Sequence, residues 1–348
     1  MSEGQLLSAV SFLLQAAASA PSADNSQPWC FSWDKGLVTG YSKRRGGFPV
    51  DYHATLMALG AASENLTWAL ARLGVDSADW HIGPPDQSGA FFRGSVDSIY
   101  DAIPKSESPV WLQRHTNRAP YLMTAISSDI QAELTSCAEG DARIIAISGA
   151  AIKDVSNWVC QASEIRFQTR EVNEWFAASL RYGDTQDDWF EGLHVNTLAL
   201  PPGGVGLLKL MSNWNRLQWL NRLRAYKLFS RIEAANFQQA PLILAVVGKT
   251  NAPAFDAGRC LQRVWLKITE LGLSAHPYYV VSDLLQRLVL NSVPEQCHDQ
   301  GESVRKQVQA TLGQNRTLHC LLRVGKPSRQ LSVSGRLPLE RVMCNSDD

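Results

Sequence analysis

The sequence predicts an α+β fold in two halves, on three observations. Two long helical patterns, at 51–73 and 255–271, each carry a glycine in the buried stripe and end in Leu-Gly. Gly60, Leu66, Leu73 and Gly74 have the same mutual spacing as Gly258, Val264, Leu271 and Gly272. Either a duplication or two unrelated buried helices that stop alike produces that match. Third, the run 241–248 (Pro-Leu-Ile-Leu-Ala-Val-Val-Gly) is apolar on both faces, as the central strand of a sheet would be. At 348 residues, 45% hydrophobic and 19% charged, the chain can bury a substantial core.

The elements follow in order. Leu6, Val10, Leu13, Leu14 and Ala17 recur at helical spacing, and the first Lys or Arg is Lys35, so 6–20 reads as a buried helix rather than a secretory signal. Residues 21–29, bounded by Pro21 and Pro28 and rich in Ser, Asp and Asn, form a polar loop of defined shape. Strands at 29–33 and 37–41 are joined by a hairpin-like turn at Asp34-Lys35-Gly36. In the helix at 51–73, Leu56, Leu59, Gly60, Ser63, Leu66, Leu70 and Leu73 mark the buried stripe, and Gly74 suits a left-handed C-cap. A strand at 89–96 closes a first half, 1–110.

The second half, 111–348, opens on Arg114-His115-Thr116-Asn117-Arg118-Ala119-Pro120. It continues with a helix at 128–138, a strand at 143–147, a helix at 151–180, the central strand, the helix at 255–271 and a strand at 317–324. The stretch 182–230 breaks this rhythm. It holds a Pro-Gly cluster at 201–206, then Trp214, Trp219 and Tyr226 among Leu and Arg, and is too apolar for a linker. It reads as a lid-like insertion or as a plain helical pair.

Charge and cysteine bound the function. The 33 basic and 33 acidic residues cancel, so no global field favours nucleic acid or an anionic membrane, and no run reaches the roughly 18 apolar residues of a membrane span. Neither partner is expected. Seven scattered cysteines without a C-x-x-C pair indicate neither a disulfide framework nor a zinc site, and a cytoplasmic location fits them. Cys297-His298-Asp299 reads as a surface turn rather than a triad, because sequence neighbours point apart. Gly203-Gly204-Val205-Gly206 lacks the strand and the lysine of a phosphate loop.

Arg114, Thr116 and Arg118 alternate. In an extended segment they would present two cations and a hydroxyl on one side, and a solvated surface segment would read the same way. Together with Ala20-Pro21-Ser22, then Asn25-Ser26-Gln27-Pro28-Trp29-Cys30-Phe31, and the ending Gly335-Arg336-Leu337-Pro338-Leu339, they carry a resemblance. The sequence resembles the nitroreductase-like FMN-binding family, in its duplicated Acg-like branch.

That resemblance implies mainly antiparallel sheets in two fused halves packed through their long helices. It implies FMN as cofactor, with Pro21, Ser22, Asn25 and Gln27 in the flavin-contacting loop, Arg114, Thr116, Arg118 and Arg336 clamping the flavin and its phosphate, and Ser274 and His276 on a loop facing flavin N5. In single-domain members the arginine segment precedes the loop, whereas here it follows, and residues 1–20 hold no cation. One composite FMN site per chain, in a monomer with an internal pseudo-two-fold, is the consequence. The implied activity is hydride transfer from NAD(P)H through the flavin to an electron-poor small molecule. A non-catalytic, flavin-sequestering protein of the same fold is the alternative.

Overall fold

A computed structural model describes residues 3–34, 36–44, 49–99, 108–250 and 252–344, with the side chains of residues 3–7 and 98 outside that description. Helix α1 (Glu3–Ala18) buries Val10, Leu13, Leu14 and Ala17 on the expected stripe, while Leu6 lies outside the described side chains. Strands β1 (Trp29–Asp34) and β2 (Leu37–Ser42) pair antiparallel, and Lys35 of their expected turn lies outside the described residues. Helix α2 (His53–Leu73) ends where Gly74, at φ 76°, turns its N–H back to the carbonyls of Leu70 and Ala71. Strands β3 (His81–Ile82) and β4 (Ala90–Ser95) complete an antiparallel sheet of order β1-β2-β4-β3. Its inner face, α1 and α2 enclose one core around Trp29, Phe31, Leu59, Phe91 and Phe92.

The chain then forms α3 (Val110–Gln113), α4 (Ser128–Thr135), β5 (Ala138–Glu139) and β6 (Ala142–Ser148). The helix expected at 151–180 is two, α5 (Ile152–Arg166) and α6 (Arg170–Ser179). Thr169 interrupts it: its backbone is extended and its hydroxyl caps the carbonyl of Ile165. The 182–230 stretch and its flanks hold β7 (Leu180–Arg181), α7 (Gln186–Phe190), β8 (Leu193–His194), α8 (Gly204–Met211), α9 (Trp214–Arg222) and α10 (Ala225–Gln238). The remainder is β9 (Leu242–Lys249), α11 (Ala254–Glu270), β10 (Ser274–Tyr278), α12 (Val280–Val289), α13 (His298–Leu312), β11 (Arg316–Gly325) and α14 (Leu339–Val342).

The second sheet, order β10-β11-β9-β6-β5, is antiparallel throughout, with β9 in the centre as its two apolar faces require. Leu244 and Val246 pack with Val264 and Trp265 of α11, while Ile243 and Ala245 pack with α5, α12 and α13 on the other side. Two expectations need correction. Residues 274–278, expected as loop, are an edge strand, which tolerates Pro277 because an edge can spare an N–H. Residues 297–299, expected as a surface turn, open α13 with Cys297 buried.

Helices α2 and α11 cross at their glycines. A Cβ on Gly60 would lie 2.0 Å from the carbonyl oxygen of Phe255, and one on Gly258 would lie 2.0 Å from that of Met57. The spacing that aligns Gly60 with Gly258 also aligns Met57 with Phe255, so the contact is reciprocal, as at a two-fold interface. Beside the crossing, buried Glu64 is held by Arg259 and Arg263, and Gln262 donates to Asn65 at 2.6 Å. The C-terminal tail returns to the first sheet, where Met343 bridges Phe31 and the Cys344 N–H donates to the Phe31 carbonyl at 2.8 Å.

At the start of α2, His53 hydrogen-bonds His319 at 2.9 Å through Nε2 and the Tyr279 hydroxyl at 2.6 Å through Nδ1. Burial pushes His53 from 6.5 down to about 4 and, with His53 beside it, His319 down to about 3. The unfolded chain therefore binds more protons than the folded one below pH 6.5, so stability should fall as pH drops from there toward 4. Thermal unfolding against pH checks this. A His319→Gln protein should lose stability less steeply over that window, and an unchanged slope would assign the acid sensitivity elsewhere.

Candidate functional site

The loop after α1 holds three non-glycine residues in the left-handed region, Asp24 (φ 49°), Asn25 (φ 55°) and Gln27 (φ 49°). Such conformations persist only where surroundings enforce them. Here Ser22 Oγ accepts from the Gln27 N–H at 2.9 Å, and Asn25 Nδ2 donates to the carbonyls of Phe190 (3.1 Å) and Gly335 (3.3 Å). Gln27 Nε2 donates to the Phe190 carbonyl at 2.7 Å while its Oε1 accepts from the Leu337 N–H at 2.8 Å. Gln27 is thereby occupied in clasping the insertion and the tail. Asn25 Oδ1 is buried and unsatisfied.

Just past the end of α1, two guanidinium groups converge on the successive carbonyls of Ser19 and Ala20. Arg114, buried, donates to the Ser19 carbonyl at 3.2 Å and stacks over Trp265 at 4.4 Å, with its Nε unsatisfied. Arg336 donates to the carbonyls of Ala20 (3.1 Å) and Gly335 (2.9 Å), and Pro21 turns the chain just beyond. No carboxylate pairs with either among the described residues. Burial and then the charge of Arg336 hold Arg114 well below its ordinary value, and burial brings Arg336 down to about 10. Carbonyls of a helix end accept hydrogen bonds but do not neutralise two charges; an anion with several acceptor oxygens would.

Thr116 makes a parallel bridge to Ala275, and the Asn117 N–H donates to the Ala275 carbonyl at 3.0 Å, so this segment lies beside β10. The expected two-cation face is divided. Arg114 meets Arg336, whereas Arg118 donates to the Thr197 carbonyl at 3.2 Å and attracts Asp24, whose carboxyl burial raises and Arg118 lowers. On β10, Ser274 pairs with Gly325 and His276 with Arg323. Arg323, fully buried, donates to His276 Nδ1 at 3.1 Å, lies over Tyr121, and keeps an unsatisfied Nε. Burial, Arg323 and Arg118 push His276 well below its ordinary value, so its ring is neutral. Nearby, Glu233 accepts from Ser163 (2.5 Å) and Tyr278 (2.6 Å) and pairs with Arg166.

Arg323 and Asp24 are the site residues that sequence reasoning missed. The signal for Arg323 was present: one arginine within the apolar run Leu321-Leu322-Arg323-Val324 must find buried partners. Next to the loop, Asp24, Ser26, Ser179 and Gly192 line a cavity of about 50 Å³, room for a water or two.

No family model matches the sequence. The chain is 25% identical over 288 residues to the probable NAD(P)H nitroreductase PigM of Serratia sp. (strain ATCC 39006), covering 77% of this chain and 79% of that protein. The chain is nitroreductase-like. A second relative of this nitroreductase-like chain, the uncharacterized protein MT1398 of Mycobacterium tuberculosis (strain CDC 1551 / Oshkosh), is 26% identical over 278 residues. That match covers 76% of the chain and only 38% of the longer relative. Among solved structures, the FMN-dependent nitroreductase NfnB from Mycobacterium smegmatis in complex with NADPH aligns over 68% of this chain and 96% of its own, at 16% identity and a TM-score of 0.37.

Proposed function

We propose that this nitroreductase-like chain is an FMN-dependent oxidoreductase that draws electrons from NAD(P)H and delivers them to an electron-poor small molecule. The observation that carries the reading is the Arg114–Arg336 pair, two converging cations without a carboxylate, which fits the phosphate of FMN. Thr116, beside Ala275, would continue the grip along the flavin, and Arg118 would join it only by leaving the Thr197 carbonyl and Asp24. Asn25 Oδ1, orphaned in the buried loop, would accept from the pyrimidine edge, with Pro21, Ser22 and Gln27 holding the loop in shape. Ser274 and His276, on strand β10, would face the ring's reactive side, His276 as a neutral donor because Arg323 occupies its Nδ1. What the flavin supplies when bound is two-electron hydride chemistry at N5.

Two structural readings accompany it. Residues 1–110 and 111–348 are proposed as two halves of a duplicated unit, packed through α2 and α11 into a monomeric pseudo-dimer that makes one composite site. The reciprocal Gly60 and Gly258 contacts support this. The 182–230 stretch is proposed as a lid: Phe190 accepts from Asn25 and Gln27, and Thr197 from Arg118, so it lies against the loop. Limited proteolysis should therefore cut near Pro202 to Gly206 faster without FMN than with it. Equal cutting rates would reduce the stretch to a plain helical cover.

Anaerobic addition of NADPH or NADH to the FMN-loaded protein tests the activity. Rapid loss of the yellow absorbance, restored by an electron-poor acceptor such as a nitroarene, is the expected result. Bound flavin that neither nucleotide bleaches would make the chain a flavin holder instead.

A further inference from the structure

Helices α8, α9 and α10 carry a surface that the proposed flavin site does not use. Their inward faces are ordinary: Leu208, Leu217, Phe229 and Ala234 are buried. The outward positions would normally be polar. Here they are apolar and open, with Trp219 59% exposed, Leu223 69%, Leu228 59% and Ile232 56%, and Leu207 and Leu210 exposed on α8. Leu228 and Ile232 are spaced four apart on α10 and share a helix face, while Leu223 lies just past the end of α9, after Trp219. Leu210 and Trp219 line a common groove with Arg216, so α8 and α9 present their apolar side chains together.

Along this stretch of chain the charge has one sign up to Glu233, whose carboxylate is taken by Arg166. From Gly192 to Ile232 the chain has Lys209, Arg216, Arg222, Arg224, Lys227 and Arg231 and no Asp or Glu, although the whole protein is neutral. None of the six makes an ion pair among the described residues. Leu, Ile and an exposed Trp interleaved with unpaired Lys and Arg make the composition of helices that lie in a bilayer interface, with apolar groups below the headgroups and cations at anionic phosphates. A nucleic acid would match the cations but not the open leucines. A spanning helix is not involved, since no described helix is long and apolar enough to cross a membrane.

We propose that α8–α10 form a peripheral docking surface for an anionic lipid bilayer. Cations steer the protein to the headgroups, and Trp219, Leu223, Leu228 and Ile232 enter the interface. This reverses, for one face, the expectation that a neutral chain avoids membranes, because the neutrality is a sum over unlike regions.

Cosedimentation of the full chain with vesicles is the test, using phosphatidylcholine alone and an equimolar mixture with phosphatidylglycerol. The chain should pellet with the mixed vesicles only, and added salt should release it. Arg216→Glu combined with Arg222→Glu should weaken pelleting by about tenfold or more. Trp219→Ala combined with Leu223→Ala should do likewise while leaving thermal unfolding nearly unchanged, since both residues are exposed. Equal pelleting with both vesicle types, or none, overturns the proposal. Loss on charge reversal without loss in the Trp219/Leu223 variant identifies a general polyanion site and also overturns it. A concentration-dependent dimer that the Trp219/Leu223 variant abolishes, without lipid binding, would assign the face to a second copy of the chain.

Discussion

Arg114→Ala and Arg336→Ala proteins should emerge from purification without flavin, while the unaltered chain emerges yellow. Each guanidinium is desolvated and lacks a carboxylate, so each would give its full charge to a phosphate. Removing one leaves a buried dianion underpaired, at a cost of about 2 to 5 kcal/mol in binding, or roughly 30- to 4,000-fold in affinity. The same geometry has a second consequence. Without FMN, two cations repel one another at the end of α1, so either substitution should leave flavin-free thermal stability unchanged or raised. If the arginines served only to cap the carbonyls of Ser19 and Ala20, the flavin-free protein would be destabilised instead. Thermal unfolding of each variant, with and without FMN, separates these roles.

Gly258→Val should unfold the chain far more readily than substitution at an exposed glycine. The Cβ would meet the backbone carbonyl of Met57 at 2.0 Å, and a carbonyl inside α2 cannot swing away as a flexible side chain could. The helices must part, which exposes part of the apolar stripe and strains the Glu64–Arg259–Arg263 ion pairs. A loss of roughly 3 kcal/mol or more is expected. Gly60→Val should match it, because Phe255 opposes it at the same distance. Gly206→Val, with open space around it, is the control. Denaturant midpoints compare the three, and a Gly258→Val midpoint equal to that of the control would remove the close crossing from the account.

The elements that could be read in advance were those set by local rules. Gly74 announced the end of α2, the doubly apolar run became β9, and the two Leu-Gly helices met at their glycines. What escaped depends on distant partners. Strand β10 was hidden because Pro277 demotes a strand unless an edge is free, and edge position belongs to the assembled sheet. The break at Thr169 was obscured by continuous helical periodicity on both sides. In the candidate site, the arginines were visible as residue types, but alternation could not tell that Arg114 would meet Arg336 and Arg118 would meet Asp24. Gln27 matched a flavin-loop pattern, yet its amide is engaged by Phe190 and Leu337, which lie far away in sequence.

The most direct test of one composite flavin site in one chain is a flavin-to-protein ratio measured on a species of known mass. Visible absorption of the purified chain gives the ratio, and light scattering gives the mass. One FMN per chain in a monomer is the predicted result. A colourless chain that fails to take up added FMN, two flavins per chain, or an obligate dimer with flavin at the contact between chains would contradict it.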